Sequence, residues 1–274
     1  MNQFRKIALS TAILSIGWTS IQAQQSVSPV VSSAAPADAS VAYTRAWTGF
    51  HNPAALSGSK EITAQLGYEN RFGIKELSIG AASVAIPTSK VDIGVAVSRF
   101  GYSKYNETQA GIALSRRFTK RLQLAVQANY YSIYLSPEEG SKGTVVAQIG
   151  LLSELTDNLT VGFHAFNPAQ TNIGLGDTEK RIPSLFELGA QYKFGGNLLW
   201  LAQIDKEIDH DLQWRTGFEY WIVKEFAVRV GGYGSPFVPN LGASLQLNKF
   251  ALDLNFERHQ QLGINSACAL RYAF

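Results

Sequence analysis

The sequence predicts an all-β protein, a transmembrane antiparallel β-barrel of about fourteen strands with a small N-terminal plug. Three observations predict it. Hydrophobicity alternates with period two from about Lys60 to Phe274, and the connections between alternating segments are short and long by turns. No later segment reaches the roughly 18 uninterrupted apolar residues of a membrane helix. The 274-residue chain is 46% hydrophobic and 16% charged, below the roughly 25% charge of an ordinary soluble domain. That balance suits strands with one face toward lipid and the other toward a wet interior. A formal charge of +3 without a basic stripe argues against a nucleic-acid partner.

Residues 1–23 read as a signal peptide: Arg5 and Lys6 form a positive start, Ile7 to Trp18 an apolar stretch too short to span a bilayer, and Ser20 to Ala23 a cleavage site before Gln24. Residues 24–59 read as an N-terminal arm and luminal plug. Gln24 to Ser40 is rich in Ser, Ala, Val and Pro without any period. Ala46 to Gly58 is too apolar for a solvated linker, and Asn52-Pro53 starts a turn within it. Residues 60–274 are then the barrel.

The clearest strand is Leu212 to Tyr220, with Leu212, Trp214, Thr216, Phe218 and Tyr220 on one face and Gln213, Arg215, Gly217 and Glu219 on the other. The same parity recurs at 62–71 and 250–257, and more weakly at 77–86, 91–99, 108–118, 121–131, 144–154, 159–166, 184–194, 198–205, 226–233 and 240–247. Leu262 to Phe274 completes the count. Short turns fall around Pro87–Lys90, Thr119-Lys120, Asp157-Asn158, Gly195–Asn197, Val223-Lys224 and Asn248-Lys249. Most of the other connections are longer, at 101–107, 135–143, 167–183, 206–211 and 233–239, with 72–76 and 258–261 the shorter exceptions. Outer-membrane barrels have short periplasmic turns and long outer loops, so an even count puts both ends of the sheet on the periplasmic side. A soluble sandwich would carry Lys, Glu and Asp outward; here the polar parity is rich in Gly, Ala and Gln.

Leu270, Tyr272 and Phe274 share one face of the last strand, which ends on an aromatic. Such an ending resembles the signal that bacterial barrel-assembly machinery reads in its clients. With Phe50-His51-Asn52-Pro53-Ala54-Ala55-Leu56 ahead of about fourteen strands, the chain resembles the FadL-type superfamily of outer-membrane proteins. Within it, the chain is most similar to the short PorV-like barrels of Bacteroidota, with PorP/SprF-like barrels near neighbours. The resemblance implies that Trp47, Phe50, Asn52, Pro53, Ala54 and Leu56 fold into the lumen as a plug. It also implies an outer-membrane location, lipid as a partner, and either of two functions. One is a channel or transporter for small or hydrophobic solutes. The other is a non-transporting component of a secretion or surface-assembly system of type IX kind, with a secretion-system partner in place of a small hydrophobic ligand. The chain is shorter than a long-chain fatty-acid transporter, which argues against a high-affinity lipid site.

Nothing points to an enzyme or a cofactor. The four histidines, His51, His164, His210 and His259, are far apart without a His-x-x-x-His pair. Asp209-His210-Asp211 reads as a solvated loop tip, and the single Cys268 as a small apolar strand residue. Most of the 24 glycines take the inward parity, leaving room for a plug or pore. Glu69, Arg71, Asp92, Glu187, Lys193, Asp205, Arg215, Glu219, Arg229, Asp253, Glu257 and Arg271 share that parity and mix both signs. They read first as an ion-pair lattice between plug and wall, and second as selectivity groups. The weak alternation around Gly80, Ala81, Ala82 and Ser83, ending at Pro87, makes 77–86 the expected lateral opening in the wall.

Overall fold

Period-two alternation has a closed solution once there are enough strands, because closure leaves no unpaired edge. The computed structural model describes residues 35–45, 49–136, 140–175 and 179–274. The first seven barrel strands are β1 (Thr63–Asn70), β2 (Ser78–Ile86), β3 (Asp92–Gly101), β4 (Asn106–Arg117), β5 (Leu122–Ser136), β6 (Gly140–Glu154) and β7 (Leu159–Phe166). Two three-residue strands, β8 (Asn172–Gly174) and β9 (Glu179–Arg181), pair only with each other. The barrel resumes with β10 (Leu185–Phe194), β11 (Leu198–Glu207), β12 (Gln213–Val223), β13 (Phe226–Tyr233), β14 (Val238–Leu247), β15 (Phe250–His259) and β16 (Gly263–Ala273). Fourteen strands thus close antiparallel, β1 against β16, with Thr63 facing Ala273 and Asn70 facing Ser266.

The outward parity is apolar and exposed around the circumference, as Leu66, Val97, Ile112, Val126, Leu188, Phe218, Val230 and Leu252 show. The inward parity is buried and mostly small or polar. A fourteen-strand wall is too wide for its own side chains to fill. Residues 35–45 and 49–58 fill it instead, through two short 3-10 turns, Pro36–Asp38 and Pro53–Gly58.

Two expectations are corrected. The wall does not open at 77–86: β2 pairs without a break to β1 from Ser78 to Ala85 and to β3 from Ile79 to Ile86. The small residues there satisfy an ordinary ladder, which needs only backbone. The expected loop 135–143 is largely strand, since β5 and β6 run on to Ser136 and from Gly140. Ser141, Lys142 and Gly143 are all exposed, so no burial alternation marks that extension. The expected loop 167–183 holds the β8–β9 hairpin. Its Ile173 and the adjoining Ile182 bury against Tyr131, Ile133, Val146 and Phe166 at the loop end of the wall. The predicted signal peptide at 1–23 lies outside the described residues.

Candidate functional site

Asn52 organises the first half of the luminal segment. Its side-chain oxygen accepts from Ala54 N at 3.0 Å, capping the turn that Pro53 begins. Its amide donates to Val41 O at 2.6 Å and to Leu151 O of β6 at 3.1 Å. One buried side chain thereby fixes the turn, the preceding segment and the wall. Phe50, Ala54, Ala55 and Leu56 bury against Ala85, Ala96, Ala113, Ala125 and Leu152, inward residues of β2 to β6. Small wall residues are needed because the plug backbone comes close. A Cβ on Gly150 would strike Asn52 Oδ1.

The second half, 35–45, lies on β7 and β10 to β14. Gly162 faces Gly189 across β7 and β10, and Gly217 faces Gly231 across β12 and β13. A side chain on the first pair would meet Val41; on the second pair it would meet Pro36 or Ala37, at 2.6 and 2.9 Å. Ala37 and Asp38 have φ of 52° and 57°, costly for residues with a Cβ. The wall holds them there: Ala37 N donates to Asn240 Oδ1 at 3.1 Å, and Arg215 donates to Ala37 O at 3.4 Å.

Around this half the charges gather. Glu219, without exposure, accepts from Tyr43 OH at 2.9 Å, Trp221 Nε1 at 2.8 Å, Arg229 Nε at 2.9 Å and Arg45 Nε at 2.8 Å. Arg229 continues to Asp253 at 2.8 Å, which also accepts from Ser244 at 2.7 Å. A second chain runs from His164 to Glu187 at 2.5 Å, through Gln203 to Asp205, and on to Arg215 at 2.5 Å. Gln203 also accepts from Val41 N at 2.9 Å. Glu257 accepts from Tyr233 and Asn240, each at 3.2 Å, and Glu69 pairs with Arg71 at 2.8 Å. Glu219, Asp253, Asp205 and Glu69 each meet an arginine inside the wall, which is what burial demands of an ion, while Glu257 meets two neutral donors.

At the loop end Glu107, also without exposure, accepts from Tyr105, Tyr131 and Lys180. Lys180 sits on β9, so this cluster ties the outer hairpin down. Burial acts to lower the Lys180 ammonium, but its bonds to Glu107 and Tyr105 outweigh it and hold the pKa above the ordinary value.

Of the expected plug residues, Phe50, Asn52, Pro53, Ala54 and Leu56 stand inside the barrel, while Trp47 lies outside the described residues. Among the expected lumen charges, Glu69, Arg71, Glu187, Asp205, Arg215, Glu219, Arg229, Asp253 and Glu257 face the interior. Three stand elsewhere. Asp92 caps a turn by accepting from Thr88 N at 2.8 Å, Lys193 is exposed at the turn end, and Arg271 donates there to Arg45 O at 3.1 Å. Parity fixes the face of a residue but not its height. Leu270 and Phe274 are exposed on the outer face, and Tyr272 packs between the rings of Phe250 and Phe274 at 4.7 and 4.9 Å. Tyr43, Arg45, His164, Gln203 and Glu107 were not anticipated as site residues. The inward parity of the last three was the available signal. Cys268 is exposed on the outer face. Asp209 pairs with Arg181 at 2.9 Å, so the predicted loop tip is tied to the outer hairpin.

No family model matches the chain, and no curated protein matches it in sequence. Solved structures do match in fold. A deletion mutant of the TodX monoaromatic hydrocarbon channel superposes with a TM-score of 0.68 at 13% identity, covering 88% of this chain and 97% of that one. The Pseudomonas putida toluene transporter TodX gives 0.63 at 11% identity, covering 90% and 96%. A Pseudomonas aeruginosa FadL homologue gives 0.57 at 12%, covering 89% and 96%. At these identities the likeness is one of fold: a closed fourteen-strand barrel with an N-terminal segment outside the sheet.

Proposed function

We propose that this chain is an outer-membrane channel that passes small or hydrophobic solutes past a built-in plug. The observation that carries the reading is the seat described above. The wall is carved by glycine and alanine to receive a segment that is not part of the sheet, inside a barrel whose outer face is apolar. The fold likeness to structures described as a hydrocarbon channel and a toluene transporter supports the same reading. An exported chain with residues 1–23 removed, turns toward the periplasm and Leu270, Tyr272 and Phe274 as its assembly signal completes the proposal.

A second reading is favoured by how fully the plug is bonded on both arcs of wall: a non-transporting barrel of the PorV-like kind, serving a secretion or surface-assembly partner. Swelling of liposomes loaded with the protein separates the two. The channel reading expects faster solute entry than in empty liposomes, and faster still in a variant lacking residues 24–59. No permeability in either form, together with recovery of one stable partner from native membranes, would replace it with the second reading.

A further inference from the structure

Two recesses open at the turn end of the barrel, of about 680 Å³ and about 370 Å³, sizes that suit small ligands. Arg45 borders both. Lys224 borders the first, and Lys60, Lys249 and Arg271 border the second. Among the described residues the acids on the two rims are Glu225 and Glu61. Among the described residues no ion pair engages Lys60, Lys224, Lys249 or Arg271. Inside the lumen the opposite holds, and arginines are matched to carboxylates. Cations thus outnumber acids at this mouth, where a concave low-dielectric wall concentrates their field.

Arg45 is the cation of this mouth that is both ion-paired and well exposed. Its side chain is 41% exposed, while that of its partner Glu219 is 0% exposed, and its guanidinium lies 4.7 Å from the Trp221 ring centroid. Glu219 does not depend on it. Arg229, Tyr43 and Trp221 still donate to that carboxylate when Arg45 turns away. Detaching Arg45 consequently leaves no uncompensated buried charge, the usual obstacle to breaking such a pair.

We infer that the two recesses form an anion-binding vestibule, with Arg45 as its central cation, for a small multivalent ligand bearing carboxylate or phosphate groups. Guanidinium and ammonium groups converging on one concavity match that chemistry. The inference deepens the channel reading by giving the class of solute met at the plug's exit, yet binding is measurable without transport.

The test is calorimetric titration of the purified barrel, in neutral detergent at low salt, with inorganic pyrophosphate and separately with citrate. Saturable binding is expected, weakened about tenfold by Arg45→Gln, the size of one charge-assisted hydrogen bond. Arg121→Gln, at an exposed pair with Asp157 on another turn, should leave it unchanged. Lys224→Gln with Lys249→Gln removes two exposed cations that form no ion pair among the described residues, so it tests the vestibule even if the Arg45 variant fails to fold. Nanodiscs of phosphatidylglycerol and phosphatidylcholine separate the sources of the anion. Loss of pyrophosphate binding only in the former identifies a lipid phosphate as the occupant, and equal binding identifies a soluble one. Absence of saturable binding to either probe, or equal weakening by Arg121→Gln, overturns the inference. Binding without permeability would remove the channel reading and leave the vestibule; permeability without binding would do the reverse.

Discussion

The two halves of the plug are held by different physics. Residues 50–57 press Phe50, Ala54, Ala55 and Leu56 onto an alanine-lined arc of β2 to β6, with Asn52 as the polar centre. Residues 35–45 have their own apolar contacts, Ala35, Ala39 and Tyr43 on Leu199 and Leu201. Their fixed points, however, are Tyr43 and Arg45 on Glu219, Val41 on Gln203, and Ala37 on Asn240 and Arg215. The first seat is made by area and shape, so its stability should fall in proportion to what is removed. The second is made by buried ions that satisfy each other, and such a network fails when a cation shared by two carboxylates is taken away.

The largest effect should therefore come from Arg229, which is 5% exposed and bridges Glu219 to Asp253. Arg229→Met leaves those two carboxylates without their shared cation, at an expected cost of about 3–5 kcal/mol. The urea midpoint of the detergent-solubilised barrel, followed by its heat-modifiable migration, measures this. A loss below about 1 kcal/mol, the range of a surface ion pair, would break the contrast between the two seats. Leu56→Ala comes next. Leu56 has no exposure, and removing it leaves a cavity against Ala113 and Ala125, with an expected loss of about 2–4 kcal/mol. The same denaturation measurement applies. A cost equal to that of Arg229→Met would show that area and charge contribute alike.

The face of nearly every strand was legible in the sequence, because burial on one side leaves a period of two that a single-residue slip would reverse. The plug motif was legible too, since Asn52-Pro53 carries both a cap and a start. Height along the barrel was not. Asp92 and Lys193 obey the inward parity yet sit at the turn ends of their strands, as nothing in an alternating pattern marks where the lumen ends. Glu107 fell one residue before the expected strand 108–118, and its partner Lys180 comes from a hairpin whose pairing is local to a loop. Tyr43 and Arg45 carried no period at all. Their roles depend on Glu219, 176 and 174 positions away in the chain, and only closure of the barrel brings them together. The supposed opening at 77–86 misread small residues on both faces of the strand as a break, although a ladder is indifferent to side-chain size.

The smallest of the three effects belongs to Asn52, whose side chain touches both halves. Asn52→Ala removes the cap on Ala54 N and leaves Val41 O and Leu151 O without its amide. Leu151 O keeps access to the ladder, so the uncompensated part is the Val41 carbonyl and the frayed turn, an expected loss of about 1–2 kcal/mol. The informative readout is coupling rather than size. Leu56→Ala and Arg229→Met sit in different clusters with no shared partner and should add in the double variant to within about 0.5 kcal/mol. Asn52→Ala, in contrast, should be non-additive with both, because its turn positions Leu56 and its bond to Val41 O anchors the strand of plug leading to Tyr43 and Arg45. If Asn52→Ala adds to both partners without coupling, the two halves are independent fillers of one lumen. If it couples to both, they form one plug with Asn52 as its joint.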